Sequence, residues 1–227
     1  MVLVGVAYAT TLTAYVVANK LTTAANAIFL EDTAPLYLLL AGPWLLKEPI
    51  RRSDLVVLVL MAAGIAMFFV GDESVSRTAP DPALGNLIAA LTGLTWAATL
   101  AGLRWIGRDD ASGSKGMATV AIGSLVALVC ALPFAWPFPA GGAEDWIAVT
   151  YLGTIQVGLG YVFLTRGVHR VPALETSLII LAEPVFTPIW AYLLHGEHPS
   201  YLSLAGGGLI LCATLVPLFR TARRAPF

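Results

Sequence analysis

Residues 24–48 read AANAIFLEDTAPLYLLLAGPWLLKE, and residues 173–197 read ALETSLIILAEPVFTPIWAYLLHGE. Shifted by 149 positions, Ala24, Pro35, Leu45 and Glu48 fall on Ala173, Pro184, Leu194 and Glu197. Four identities in 25 are few, and two unrelated Leu/Ala-rich helices would supply some of them. The order of features is the stronger argument. Each segment opens on small residues, carries a proline in its middle and ends on an acid soon followed by proline (Glu48-Pro49 and Glu197-His198-Pro199). A further apolar run follows each.

The chain around these segments is apolar throughout. Of 227 residues 58% are hydrophobic and 12% charged, about half the charge of an average soluble domain. Mean hydropathy is +0.80. With a net charge of −1, this composition excludes a disordered chain, a nucleic-acid binder that works by neutralising phosphates, and an ordinary soluble enzyme. It points to a polytopic membrane protein. Eight stretches approach the ~20 apolar residues that a bilayer-spanning helix needs: about 2–18, 22–46, 54–71, 84–107, 116–138, 146–165, 172–195 and 200–219. Hydrocarbon offers no hydrogen-bond partners, so each is expected to be helical; the alternation of a barrel strand is absent. No separate short apolar stretch with a cleavage site stands apart, so no signal peptide is expected. Cys130 and Cys212 lie in apolar runs and are expected to be buried, inert thiols.

Basic residues orient the spans. With the N-terminus, the loops after spans two, four and six, and the C-terminus on one side, that side holds eleven Lys and Arg, and the other only Lys20 and Arg77. The asymmetry predicts an integral plasma (inner) membrane protein with both termini cytoplasmic. The two similar segments are spans two and seven, an odd number of helices apart. They therefore cross the membrane in opposite directions, the mark of an inverted repeat. The expected fold is all-α: a three-helix partial repeat at 1–71, a linker at 72–83, a five-helix repeat at 84–219 and a basic tail at 220–227. A three-helix copy beside a five-helix copy leads to the expectation that two helices precede Met1 in a complete repeat pair.

Ionisable groups inside the spans are the sharpest functional clue. Glu31 and Asp32 lie near the middle of span two, and Glu183 lies at the centre of span seven. On the insertion scale, the nine Leu, Ile and Phe of span two return roughly 4 kcal/mol against roughly 6 for two ionised acids. Such acids either face a wet cavity or a neighbouring helix, or carry protons. They form a proton or cation site, a contact for a substrate amine, or hydrogen-bonded joints between helices. Counting 100° per residue, Asn26, Thr33 and Tyr37 share one stripe of span two, and Thr176, Glu183 and Thr187 share one of span seven. Each stripe lines a pathway or bonds to a neighbouring helix. Tyr8, Thr11 and Tyr15 on span one and Gln156 and Tyr161 on span six are the matching candidates. Pro35, Pro43, Pro184 and Pro188 allow kinks in spans two and seven. Ala89, Gly93, Ala97 and Ala101 form a small-residue ridge suited to an internal packing face or to a homodimer.

Several of these residues fit a known pattern. Tyr161, Arg166-Gly-Val-His-Arg170, Pro172-Ala173, Ala182-Glu183-Pro184-Val185-Phe186, Leu193-Leu194-His-Gly196-Glu197 and Gly206-Gly207-Gly208 closely resemble the EamA domain of the drug/metabolite transporter superfamily. Ala24 to Gly64, with Pro35 and Leu45-Leu46-Lys47-Glu48, resembles part of the family's first such domain. The resemblance implies ten helices in two inverted five-helix repeats, a pathway between the acid-bearing helices and the ones before them, and movement of small metabolites without ATP. It also favours a structural or gating role for the acid before Pro184; Glu48 and Glu197 are expected to be structural or gating because they sit at helix ends, where snorkelling is cheap.

The expected function is secondary transport of a small metabolite (an amino acid, an amine or a related compound) by alternating access, with a proton or cation as the candidate coupling partner. The alternative is a transport-incompetent membrane protein that needs an oligomer or a partner. No cofactor or resident metal is expected: His195, Glu197 and His198 show no third ligand pattern. The chain carries no GxxxxGK[ST], HExxH or GxSxG, so no enzyme activity is expected.

Overall fold

The computed structural model describes residues 1–45, 52–70, 75–107, 113–138, 141–167 and 182–224. Every regular element among them is helical: α1 (Val2–Leu21), α2 (Ala24–Glu31), α3 (Ala34–Leu45), α4 (Arg52–Val70), α5 (Pro82–Gly107), α6 (Ser114–Ala135), α7 (Ala143–Tyr151), a π-helical stretch (Leu152–Leu159), α8 (Gly160–Gly167), α9 (Ala182–His195) and α10 (Tyr201–Arg224). Among the described residues, four helices are long and apolar enough to cross a bilayer: α1, α5, α6 and the continuous run Ala143–Phe163. Shorter apolar helices lie at Asp54–Val70 and Tyr201–Leu215.

Span two is not one helix. The expectation was a continuous element with a proline kink; the chain breaks instead at Asp32–Thr33, between α2 and α3. Pro35 has no N–H to give to the Glu31 carbonyl one turn back, and its ring crowds that carbonyl. The chain closes two tight turns instead. The Thr33 amide donates to the Leu30 carbonyl (3.3 Å), and the Leu36 amide to the Thr33 carbonyl (2.9 Å). The Thr33 hydroxyl also donates to Leu30 O, at 2.6 Å.

Helix α5 passes directly over this break. A Cβ on Gly93 would lie 2.5 Å from Thr33 Oγ1 and 2.9 Å from Leu30 O, so only glycine admits the contact. Ala89, Gly93 and Ala97 are buried on the same side. The small-residue ridge is thus an internal packing face.

Start and end signals are local. Thr22 is extended and ends α1, and Thr23 caps α2 by accepting from the Asn26 amide. The Asp81 amide donates to Leu21 O at 3.0 Å, which brings the start of α5 beside the end of α1. At the far end of α1, Val4 lies against Gly102, and Gly5 against Gly123 of α6. Helix α1 is thus sandwiched between α5 and α6.

Helices α4 and α10 cross closely. A Cβ on Gly64 would stand 2.8 Å from Gly206 O, and one on Gly206 would stand 2.7 Å from Gly64 O. Earlier on α4, Val57 and Met61 cluster with Ala213, later on α10, so the two helices run antiparallel.

Burial is uneven. Helices α1, α2 and α5 hold about half of the buried side chains among the described residues, whereas none of residues 143–160 is buried. Cys130 and Cys212 are exposed. The expectation of buried thiols fails because both sit on outward-facing sides of α6 and α10, where a membrane protein presents apolar atoms to lipid rather than to a core.

Candidate functional site

The break in span two gathers the acids. Glu31 is the last residue of α2, and Asp32 is its C-cap, with its amide turned back to Ile28 O. Both are half-buried. Asp32 Oδ2 is fully shielded, with no hydrogen-bond partner among the described residues. Glu183 enters from the first turn of α9, just before the buried Pro184. Glu183 itself is exposed and lies within electrostatic range of both Glu31 and Asp32.

Tyrosines complete the group. Tyr15 of α1 lies within range of Glu31, Asp32 and Glu183. Tyr161 of α8 lies within range of Glu31 and Glu183. Its ring meets buried Tyr8 edge-on, with centroids 5.3 Å apart and planes at 81°. Glu31, Asp32 and Glu183 thus lie within electrostatic range of one another and of Tyr15, the two glutamates also of Tyr161, and Tyr8 joins them through the Tyr161 ring. Such a group can share a proton or accept hydrogen bonds from an ammonium.

The other sequence candidates go elsewhere. Asn26, Thr33 and Tyr37 do share a face, but it is turned to α5. Asn26 Nδ2 donates to Asn86 Oδ1 (3.1 Å), Thr33 lies under Gly93, and the Tyr37 hydroxyl donates to Ala90 O (3.1 Å). Thr11 likewise bonds Thr95 of α5, at 2.8 Å. These four work as joints between helices. Gln156 is exposed in the π-helical stretch, and Thr187 is half-buried on α9. Thr176 and Glu48 lie outside the described residues.

Two residues were missed or under-read in the sequence. Asn86 links three elements: it accepts from Thr22 Oγ1 (2.7 Å) and from Asn26, and donates to Phe68 O of α4 (3.0 Å). A lone Asn inside an apolar span was the available signal. Glu197 reads in the sequence as structural or gating at a helix end, with no partner named. Its Oε2 accepts the Ala24 amide at 2.8 Å, bridging the end of α9 to the start of α2.

Among the described residues no cluster of His, Cys, Asp and Glu has the geometry to hold a metal ion. Residues 83–219 match the model of the EamA-like transporter family. The chain belongs to that family. Over 202 residues this EamA-like transporter is 29% identical to the Pseudopaline exporter CntI of Pseudomonas aeruginosa, in strains UCBPP-PA14 and PAO1. The alignment covers 88% of the chain and 67% of the relative. It also shares its fold with a protein of known crystal structure, at a TM-score of 0.61 and 21% identity, over 99% of this chain and 78% of that one. The chain is therefore an integral membrane transporter, in contact with the lipid bilayer and a small-molecule substrate.

Proposed function

We propose that the chain is a secondary transporter that exports a small metabolite by alternating access, using Glu31, Asp32, Glu183, Tyr8, Tyr15 and Tyr161 to recognise its cargo and to bind a coupling proton or cation. The observation that carries this reading is the interruption of span two at Glu31–Thr33. Discontinuous helices near mid-membrane, at the interface of two inverted repeats, are where secondary transporters bind substrate and coupling ions.

The repeat reading has support of its own. The 149-residue shift that relates spans two and seven carries Gly64 onto position 213 and Val57 onto position 206. The Gly64–Gly206 approach and the Val57–Ala213 cluster are the pair of contacts a two-fold repeat with this shift would give, which supports the reading. The packing also agrees with alternating directions: residues 21–24, 81–86 and 196–197 meet at one end of the bundle, away from Val4, Gly102 and Gly123. In this reading repeats at 1–71 and 84–219 flank a linker at 72–83, and both termini, with the basic tail 220–227, face the cytoplasm across the inner membrane. The cargo is an amino acid, an amine or a related compound, and pseudopaline is the first to test.

The test is transport of pseudopaline into inverted vesicles by the wild-type chain and by Glu31→Gln, Asp32→Asn and Glu183→Gln. Wild-type rates and unchanged pH-gradient dependence in all three would remove the acid site from the mechanism.

One observation favours a second reading, in which the chain moves nothing alone and is completed by an oligomer or a partner. The same shift lays residues 3–18 of α1 on 152–167. The former is enclosed by α5 and α6, while the latter leaves Gln156 exposed, a polar group ill suited to lipid. Light scattering of the purified protein, minus the detergent contribution, distinguishes a monomer from a dimer.

A further inference from the structure

Two of the side-chain contacts among the described residues tie the α1–α2 pair to α8 and α9, across the halves that alternating access would have to move. One is the Tyr8–Tyr161 ring pair. The other is made by a carboxylate, at the end of the bundle where α1 turns into α2. Helix α9 stops in a tight C-terminal turn. Gly196 takes a left-handed conformation (φ +64°), its amide donates to Tyr192 O (3.0 Å), and the Glu197 amide donates to Ala191 O (3.3 Å). This double closure reverses the chain directly after the helix. It aims Glu197 sideways at α2, where the side chain is 8% exposed and Oε2 accepts the Ala24 amide.

That amide is one of the first N–H groups of α2, which have no partner inside their own helix. The carboxylate meets them at the positive end of the helix dipole. Helix α2 has only eight residues, too short to hold its shape unaided, so its ends and its packing fix it in place. Thr23 supplies a cap from within the same repeat. Glu197 supplies one from the other. At its opposite end α2 carries Glu31 and the break. Tyr15 lies six residues before the end of α1, about 9 Å along the helix from the end at which Glu197 is bound. It therefore stands between the two cross-repeat contacts.

We infer that Glu197 is a positioning residue that latches α9 to α2, closing the α1–α2–α9 end of the pathway, and that this hydrogen bond breaks each time that end opens. The inference rests on the transport reading, but its test does not depend on the cargo. The reporter is Tyr15→Cys in a Cys130→Ser/Cys212→Ser chain reconstituted in vesicles. A membrane-impermeant thiol reagent is applied to the face on which Tyr201→Cys labels, Tyr201 being 93% exposed just beyond Glu197.

Glu197→Ala is expected to speed labelling of the Tyr15→Cys thiol about fivefold, the factor that corresponds to a typical loss of one helix cap. Glu197→Gln, which keeps an acceptor oxygen, stays within about twofold of the parent. Ala24→Cys with Glu197→Cys, bridged by a short reducible bis-thiosulfonate before the reporter is exposed to reagent, slows labelling below the parent, and reduction restores it. Because the bridge replaces the lost hydrogen bond with a covalent tether between the same two positions, it decides the matter even if Glu197→Ala is poorly folded. Unchanged labelling in Glu197→Ala, or a bridged protein that labels as fast as the reduced one, overturns the latch. Failure of the wild-type chain to move pseudopaline counts against the transport reading alone, since the labelling rates judge the latch separately.

Discussion

The two similar segments solve one problem in different ways. Helix α3 restarts at Ala34, one residue before Pro35; helix α9 begins at Ala182, two residues before Pro184. In both, proline occupies the first turn, where its missing N–H costs least. The charges differ. Glu183 lies in the first turn of α9, where a carboxylate is favoured by the helix dipole. Glu31 and Asp32 close α2, where the dipole opposes them, and one oxygen of Asp32 finds no partner among the described residues. Two prolines in similar settings thus stand beside a comfortable acid in one segment and an uncomfortable pair in the other. A bound ammonium or proton would relieve such a pair, so in the transport reading the pair at the break is the first candidate for the cargo or coupling role.

The comparison can be broken most directly at the acids. Glu31→Gln combined with Asp32→Asn is expected to lower the initial rate of pseudopaline transport about tenfold or more, the loss of ~1.4 kcal/mol of transition-state or binding free energy. Glu183→Gln should stay within about threefold. Equal losses in both would erase the proposed difference between the copies.

The prolines sharpen it next. Pro35→Ala returns an N–H to the Glu31 carbonyl, allowing α2 and α3 to join; transport falls several-fold while the apparent Tm holds or rises. Pro184→Ala, with a first-turn N–H that has no intrahelical partner in any case, should change Tm little. Vesicle flux and thermal unfolding measure the two effects.

Packing over the break gives the next effect in size. Gly93→Ala forces a methyl into Thr33 and the Leu30 carbonyl, and is expected to cost ~1–3 kcal/mol, read as a lower Tm. Gly116→Ala, where nothing lies within 4 Å, is its neutral control. The smallest change is Asn86→Ala, which removes the link among α1, α2 and α4. Hydrogen bonds between membrane helices contribute roughly 0.6 kcal/mol each on average, so a modest Tm loss with transport retained is expected.

Much of the fold is legible in hydropathy alone, because length and apolar content decide whether a helix suits the bilayer. The acids were legible as well: Glu31, Asp32 and Glu183 stand out against leucine. Their convergence with Tyr15 and Tyr161 was less accessible, because α1, α8 and α9 meet only in the assembled bundle. The break at Asp32 was concealed for a similar reason. Pro35 permits a kink or a break, and what makes room for the break is Gly93, sixty residues later. Periodicity found a true face in Asn26, Thr33 and Tyr37, but an angle around a helix does not say which neighbour stands opposite. Helix α5 stands there.

The antiparallel crossing of α4 and α10 bears on how the two halves would move. At Gly64 and Gly206 each backbone lies against the other's carbonyl, and the Ile210 side chain and the Phe68 ring close over the two glycines. Dispersion holds such a crossing together at short range. In the transport reading it is where the last helices of the two halves grip each other, so that a bulkier residue at either glycine would pry apart the joint on which both halves bear.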